Sequence, residues 1–444
     1  MSTQEQKGIN WVAVITMMFI YGMIAFVTNL AAPMGNVWKY QPGIEGSNML
    51  GMMGNMMNFL AYLFMGIPAG RMLTKCGYKK TAMVGIATGF AGVAIQFLSG
   101  KVPGSAESMV GPFCVYLLGA FVCGFAVCML NMVVNPMLNL LGGGGNRGNQ
   151  LNMVGTTCNS LAGTVTPMLV GALIGQVTPM TKVADVNLVM YIAMAVFAAA
   201  FVILSFIPIA NPEQGSTTEK IPVLAPLKFR HCLLGVLGIF MYVGIEIGIP
   251  ATMNLWLADA QGPLMTSGNP EIIKNAAGIA GMAAGTYWFL MLVGRLIGAF
   301  IGGKISSRIL MTVTTATAIV LILIGTQTTG ISAKMPVFTG SGFQMVTVPL
   351  TALLFALCGL MTSIMWPSTF NHATEKLGKY TAAASGLFMV MVVGGGILPL
   401  VQNAIADSAG YMISYVIPVL ALAYLFVYSA FLSKPPANID ELVK

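Results

Sequence analysis

The chain has 444 residues, 57% of them hydrophobic and only 8% charged, whereas a soluble domain carries about 25% charged residues. A water-soluble globule is therefore excluded. The formal net charge of +8 does not point to nucleic acid, because the basic residues are distributed between apolar runs instead of forming one patch.

Those runs lie near residues 10–32, 48–70, 81–99, 112–140, 150–176, 187–209, 231–257, 278–302, 305–327, 347–370, 380–404 and 411–432. Each reaches or approaches the ~20 residues that a helix needs to cross the hydrocarbon. The pattern predicts an all-α membrane protein with twelve transmembrane helices. The first run continues past Met23 without a small-residue cleavage site, so it is expected to remain as a helix. On this map fifteen Lys and Arg residues fall on one side, five (Lys39, Lys101, Lys182, Lys274 and Lys334) on the other, and Arg295 lies inside a span. The positive-inside rule then places both termini in the cytoplasm. The seven cysteines are scattered without a CxxC pair and read as small packing residues.

The longest polar segment divides the chain into six spans (1–210), a cytoplasmic linker (211–228) and six further spans (229–444). The halves share landmarks. Pro136 and Pro367 sit in the fourth and tenth spans, Pro167 and Pro399 in the fifth and eleventh, at offsets of 231 and 232 residues. A basic turn from Gly70-Arg71 to Lys80 follows the second span, and Gly302-Gly303-Lys304 with Arg308 follows the eighth. Such repeats signal internal duplication, and the layout resembles the major facilitator superfamily, in which substrate binds between two rocking halves.

More specific text follows. Tyr242-Val-Gly-Ile-Glu246, Tyr287-Trp288, Val293-Gly294-Arg295, Ser363-Ile-Met-Trp366-Pro367, Leu377-Gly378-Lys379 and Val393 to Pro399 stand in an order that resembles the fucose permease family. Ile67 to Gly70, Asn135-Pro136, Gln150-Leu151-Asn152 and Asn159-Ser160 extend the resemblance through the first half. It implies uptake of fucose, glucose, galactose or a related sugar, usually with protons. The chain departs from that family at both proton-titrating positions. Setting Gly22 and Pro33 on the family landmarks puts Asn29 where the coupling Asp belongs, and a one-residue slip puts Leu30 there, equally unable to ionise. Asn131 occupies the position of the family's Glu, four residues before Asn135.

Glu246 is the only carboxylate inside a predicted span. A charge at mid-bilayer costs at least ~2.5–3.5 kcal/mol and so marks a polar pathway. It is a candidate for substrate binding and for proton coupling, since an isolated carboxylate there takes up a proton unless a cation such as Arg295 approaches. Counting along the helices puts Arg295 several residues nearer the cytoplasmic end, so separate roles are expected, with Arg295 and Arg71 as gating or structural residues. Sugar hydroxyls need amides and aromatic faces. The helical pairs Asn55/Asn58, Asn131/Asn135 and Asn152/Asn159, with Asn29 and Asn371, supply the first; Trp288 and Trp366, with Tyr242 and Tyr287 beside them, supply the second. The alternative for any one amide is interhelical glue, and for any one aromatic, packing. Trp38 and Trp256, near span ends, are expected in the interfacial belt.

Met49, Met52, Met53, Met56 and Met57 form a ladder of thioethers, which bind Cu(I), but no Cys or His joins it and Met is an adaptable packing residue. No metal site or cofactor is expected. His231 and His372 stand alone without catalytic spacing, so the chain is not expected to be an enzyme. The expected function is transport of a monosaccharide or close derivative by alternating access, as a uniporter because the coupling acids are Asn. The alternatives are proton symport through Glu246, with Na⁺ as another possible coupling ion, and a non-transporting sugar sensor. The resemblance, with no Asn-x-Ser/Thr acceptor in the outer loops, implies a monomer in the lipid bilayer of a bacterial inner membrane.

Overall fold

The computed structural model describes residues 10–104, 108–141, 145–174, 181–207, 222–301, 305–338, 343–436 and 439. In these, sixteen α-helices follow in order: α1 Trp11–Trp38, α2 Asn48–Gly51, α3 Met53–Ser99, α4 Val110–Leu141, α5 Gly145–Ile174, α6 Asn187–Phe206, α7 Arg230–Leu257, α8 Pro270–Lys274, α9 Ala276–Ile301, α10 Ser307–Gln327, α11 Leu350–Thr362, α12 Met365–Thr374, α13 Thr381–Met391, α14 Gly394–Ala409, α15 Tyr411–Ser414 and α16 Val416–Val427. The physical reason is that hydrocarbon offers no partner to a backbone N–H or C=O, so each pass must satisfy its own. The helices trace all twelve expected spans. Ten helices among the described residues are long and apolar enough to cross a membrane, and the spans beginning at Met53 and Gly145 carry the amides and basic residues that keep them off that count. Side chains such as Phe64, Leu118, Phe206, Val313, Leu420 and Phe431 stand exposed around the bundle, as a lipid-facing surface requires.

Interruptions in the helices have local causes. α3 runs through two spans and bends at Gly77, whose φ of 81° lies in the left-handed region open to glycine. The tenth span breaks between α11 and α12, and the eleventh between α13 and α14 just before three glycines. There a Cβ on Gly394 would fall 2.1 Å from the Phe240 carbonyl oxygen, so only glycine allows this approach. Residues 211–221 of the linker lie outside the described residues.

Three expectations are corrected. Residues 332–349, expected as loop and helix start, form a hairpin: β1 Ser332–Phe338 pairs antiparallel with β2 Phe343–Pro349, Ser332 opposite Pro349. The first span continues through Pro33 to Trp38 instead of ending near residue 32. Trp38 and Trp256 are buried rather than interfacial. Trp38 packs at 5.2 Å from both Phe113 and Tyr116, because the helix end that carries it is covered by its neighbours.

At that end of the bundle the two halves are latched by polar groups. Lys39, just past α1, donates to Asp259 Oδ2 at 2.6 Å and to Asn48 Oδ1 at 2.8 Å, and the Tyr411 hydroxyl lies 2.8 Å from Asp259 and 2.5 Å from Asn48. Asn36 donates to Asn254 at 2.6 Å. Asp407 of α14 accepts from Ser47 Oγ and from the backbone N–H groups of Asn48 and Met49 at 2.6–2.9 Å, placing an anion on the N-terminus of α2 where the helix dipole favours it. Nearer the middle, α5 lies against α9 through small residues: a Cβ on Gly281 would meet Pro167 O at 2.1 Å, and one on Gly171 would meet Ala277 O at 2.4 Å. Opposite the latch, the C-terminal half is braced within itself, with Arg308 paired to Glu375 and His231 Nε2 3.1 Å from the Glu375 carbonyl.

Burial is the largest single influence on Asp259 and works to raise its pKa, but the Lys39 charge together with hydrogen bonds from Lys39, the Gln261 N–H and Tyr411 outweighs it and holds the carboxyl below its ordinary value. A depressed carboxyl stabilises the fold above the ordinary Asp value near pH 4, and the effect is lost as pH falls through the lower folded value. Asp259→Asn should therefore lower stability by about 1–3 kcal/mol at neutral pH. In thermal unfolding of detergent-purified protein the deficit should shrink below about pH 4; an equal deficit at both pH values would mean that the contact is not ionic.

Candidate functional site

A cavity of about 150 Å³ lies between the halves. Its walls come from α1 (Tyr21, Thr28, Asn29), α3 (Phe59, Tyr62), α4 (Asn131), α5 (Thr156, Asn159), α7 (Glu246), α9 (Trp288, Arg295), α12 (Trp366) and α13 (Met389). A smaller space of about 20 Å³ shares Thr28, Asn29, Ile247 and Trp288 with it and continues towards the latch past Asn55 and Asn254.

Each polar wall is positioned by a local bond. On α1, Tyr21, Ala25, Thr28 and Asn29 share one face by helical spacing, and Asn29 Nδ2 donates to Ala25 O at 2.9 Å. Asn131 Nδ2 donates to the Tyr62 hydroxyl at 2.7 Å, and Asn159 Nδ2 to the Tyr21 carbonyl at 3.1 Å. Trp288 meets the edge of the Tyr287 ring at 5.7 Å, and Trp366 lies 6.0 Å from Tyr242. Tyr287 itself is buried behind the wall, its hydroxyl 2.9 Å from Thr362. The two tryptophans thus reach the cavity, and the two tyrosines support them.

The charged centre differs from the expectation of separate roles. Arg295 Nη2 lies 3.5 Å from Glu246 Oε1, which also accepts from Tyr242 at 2.8 Å. Arg295 Nη1 donates to Thr156 O at 2.9 Å and Ser160 Oγ at 2.7 Å on α5. Helical side chains lean towards their own N-terminus. Because α7 runs towards the latch and α9 away from it, Glu246 and Arg295 lean towards each other, and the long Arg stem closes the height difference that residue counting implied.

The remaining expected residues divide. Asn55 donates to Gly395 O at 2.8 Å, serving as glue between α3 and the broken α14 while edging the smaller space. Asn58 is buried outside the cavity lining. Asn371 is exposed on α12 and does not reach the cavity, and Arg71 is exposed on α3 outside it. The side chains of Asn135 and Asn152 lie outside the described residues. Met52 of the methionine ladder packs on Ala251 and Leu255. Tyr21, Tyr62 and Thr156 were not singled out from the sequence, and Ser160 only as part of a motif, although Tyr62 stands seven residues from Asn55, two helical turns along the same face.

Two halves around a polar central cavity, with broken helices lining it, form a transporter architecture. A profile described as the Major Facilitator Superfamily matches residues 12–391. The chain belongs to the major facilitator superfamily. Within this superfamily of transporters it is 26% identical over 441 residues to a glucose/galactose transporter of Brucella abortus (strain 9-941), covering 98% of this chain and 96% of that one. It is 22% identical over 408 residues to the L-fucose-proton symporter of Escherichia coli K12, covering 86% and 84%. Among solved structures, the E. coli fucose:proton symporter superimposes with a TM-score of 0.62 at 19% identity over 94% of this chain and 98% of that one. A nucleoside transporter superimposes with 0.63 at 15% identity and the same coverage, so the structural likeness carries the fold and not the solute.

The glue and cavity amides should separate experimentally. Asn55→Leu strands the Gly395 carbonyl and should cost about 1–2 kcal/mol, read as a fall in the unfolding temperature of purified protein. A variant as stable as the parent would return Asn55 to a purely ligand-facing role.

Proposed function

We propose that this chain carries a monosaccharide or close derivative across a bacterial inner membrane by alternating access, as a monomeric uniporter. The halves are residues 1–210 and 229–444, joined by 211–228, with both termini cytoplasmic. The reading is carried by one observation, a cavity between the halves walled by amides, two tryptophans and one internally paired carboxylate. Amides both donate to and accept from ring hydroxyls, tryptophan faces suit the apolar C–H faces of a pyranose, and an ion pair closed on itself leaves the cavity formally neutral. The relatives named as glucose/galactose transporters support the solute class. On the charge map the latched end is the outer one, which supports reading this arrangement as closed to the outside.

Uniport is favoured because Asn29 and Asn131 both line the cavity without being able to titrate. The relative named as a proton symporter makes coupling the competing reading. Protein in liposomes should exchange labelled hexose, and neither a proton gradient nor a Na⁺ gradient should drive accumulation above equilibrium. Concentrative uptake under either gradient would overturn uniport. Saturable binding without exchange would overturn transport.

Asn131→Leu removes an amide from the cavity and should weaken sugar affinity by roughly tenfold or more, at about 1–3 kcal/mol for each stranded hydroxyl bond. The measurement is ligand-dependent thermal stabilisation, which at one hundred times Kd amounts to about 2.7 kcal/mol. Unchanged affinity in the folded variant would make Asn131 a support for Tyr62 alone.

A further inference from the structure

We infer that the smaller space beside the central cavity is a subsite for one hydroxyl and takes the exocyclic hydroxymethyl group of a hexose, an inference that rests on the sugar-transport reading above. At about 20 Å³ the space holds one water-sized group. It shares Thr28, Asn29, Ile247 and Trp288 with the larger cavity, so a ring seated against Trp288 can extend an arm into it. Three amides border it: Asn29 on α1, Asn55 on α3 and Asn254 on α7. Each is fixed by one bond and keeps one group over. Asn29 and Asn55 spend Nδ2 on the Ala25 and Gly395 carbonyls at 2.9 and 2.8 Å, while Asn254 Oδ1 accepts from Asn36 at 2.6 Å. Asn29 Oδ1, Asn55 Oδ1 and Asn254 Nδ2 make no hydrogen bond to a described residue.

Acceptors on one side and a donor on the other match a hydroxyl, which both donates and accepts. Much of the remaining wall is apolar and stiff, with Pro33, Pro167, Ile247 and Pro250, and suits the methylene that carries the hydroxyl. Ring hydroxyls lie close to the pyranose and stay in the larger cavity. The hydroxymethyl group projects one carbon further, and a space for a single group selects that projection. A methyl in its place would leave the amides unpaired, and a site built to hydrogen-bond a hydroxyl discriminates against the analogue that lacks it. Asn29 and Asn55 belong to the first half and Asn254 to the second, so a hydroxyl held here ties the halves together beside the latch.

The test compares D-glucose with 6-deoxy-D-glucose and D-galactose with D-fucose, pairs that differ only in that hydroxyl, by ligand-dependent thermal stabilisation of the purified full chain. The unmutated protein should bind each deoxy sugar about tenfold or more weakly than its parent. In Asn254→Leu the parent sugars should fall to the affinity of the deoxy sugars, which themselves should change less than about twofold because they never used the amide. A purely structural loss would instead lower both members of a pair alike and keep their ratio. If Asn254→Leu does not fold, Asn254→Ser, which keeps an acceptor for Asn36 but is too short to fill the subsite, makes the same comparison. Equal binding of parent and deoxy sugars by the unmutated protein would overturn the inference while leaving sugar transport intact. A preference that survives in the folded Asn254 variant would overturn it too, because the hydroxyl is then read elsewhere. Absence of both binding and exchange for every hexose in the unmutated protein would fail the transport reading, and the subsite with it.

Discussion

Two opposite charges, Glu246 and Arg295, meet 3.5 Å apart in the middle of an apolar bundle, and the surrounding structure is arranged to make that tolerable. Neither is stable there alone, because stripping a lone ion of water costs several kcal/mol even after relaxation. Tyr242 supports the carboxylate, while Thr156 and Ser160 support the guanidinium. The supporting groups lie on two helices of opposite halves, so the same bonds that satisfy the charges also connect α5 to α9. Electrostatic satisfaction and the contact between halves are one requirement here.

The latch answers the same constraint at the end of the bundle. Lys39 is almost wholly buried, and its ammonium is met by acceptors from both halves. Asp407 satisfies backbone donors at the start of α2 that would otherwise be unpaired. Between the latch and the ion pair, α5 and α9 approach through glycines with no side chains between backbones. This division gives strong, breakable polar contacts at one end and a smooth surface in the middle, a combination suited to halves that move as bodies.

The twelve spans were legible because a bilayer imposes length and apolarity on every pass. Glu246 was legible because a carboxylate among such residues is rare. The meeting of Glu246 with Arg295 was not, since counting residues along antiparallel helices measures backbone height, while both side chains lean towards the gap. Asn371 stays off the cavity wall for a rotational reason: five residues beyond Trp366, it lies about 140° round the helix from the residue that does face the cavity. The partnerships of Lys39, Asp259 and Asp407 were not legible, because they join residues more than two hundred positions apart. The hairpin was hidden by two seven-residue strands beside a far stronger helical signal.

The paired charges have an electrical consequence. Moving one elementary charge through the membrane potential is worth about 2.3 kcal/mol per 100 mV, so a carrier whose mobile cavity held an unbalanced Glu246 would feel the resting voltage at each turn. Glu246 and Arg295 cancel within 3.5 Å, and the dipole they leave spans only a small fraction of the ~30 Å hydrocarbon. Two opposite charges so close displace almost no net charge when they move through the field as one unit.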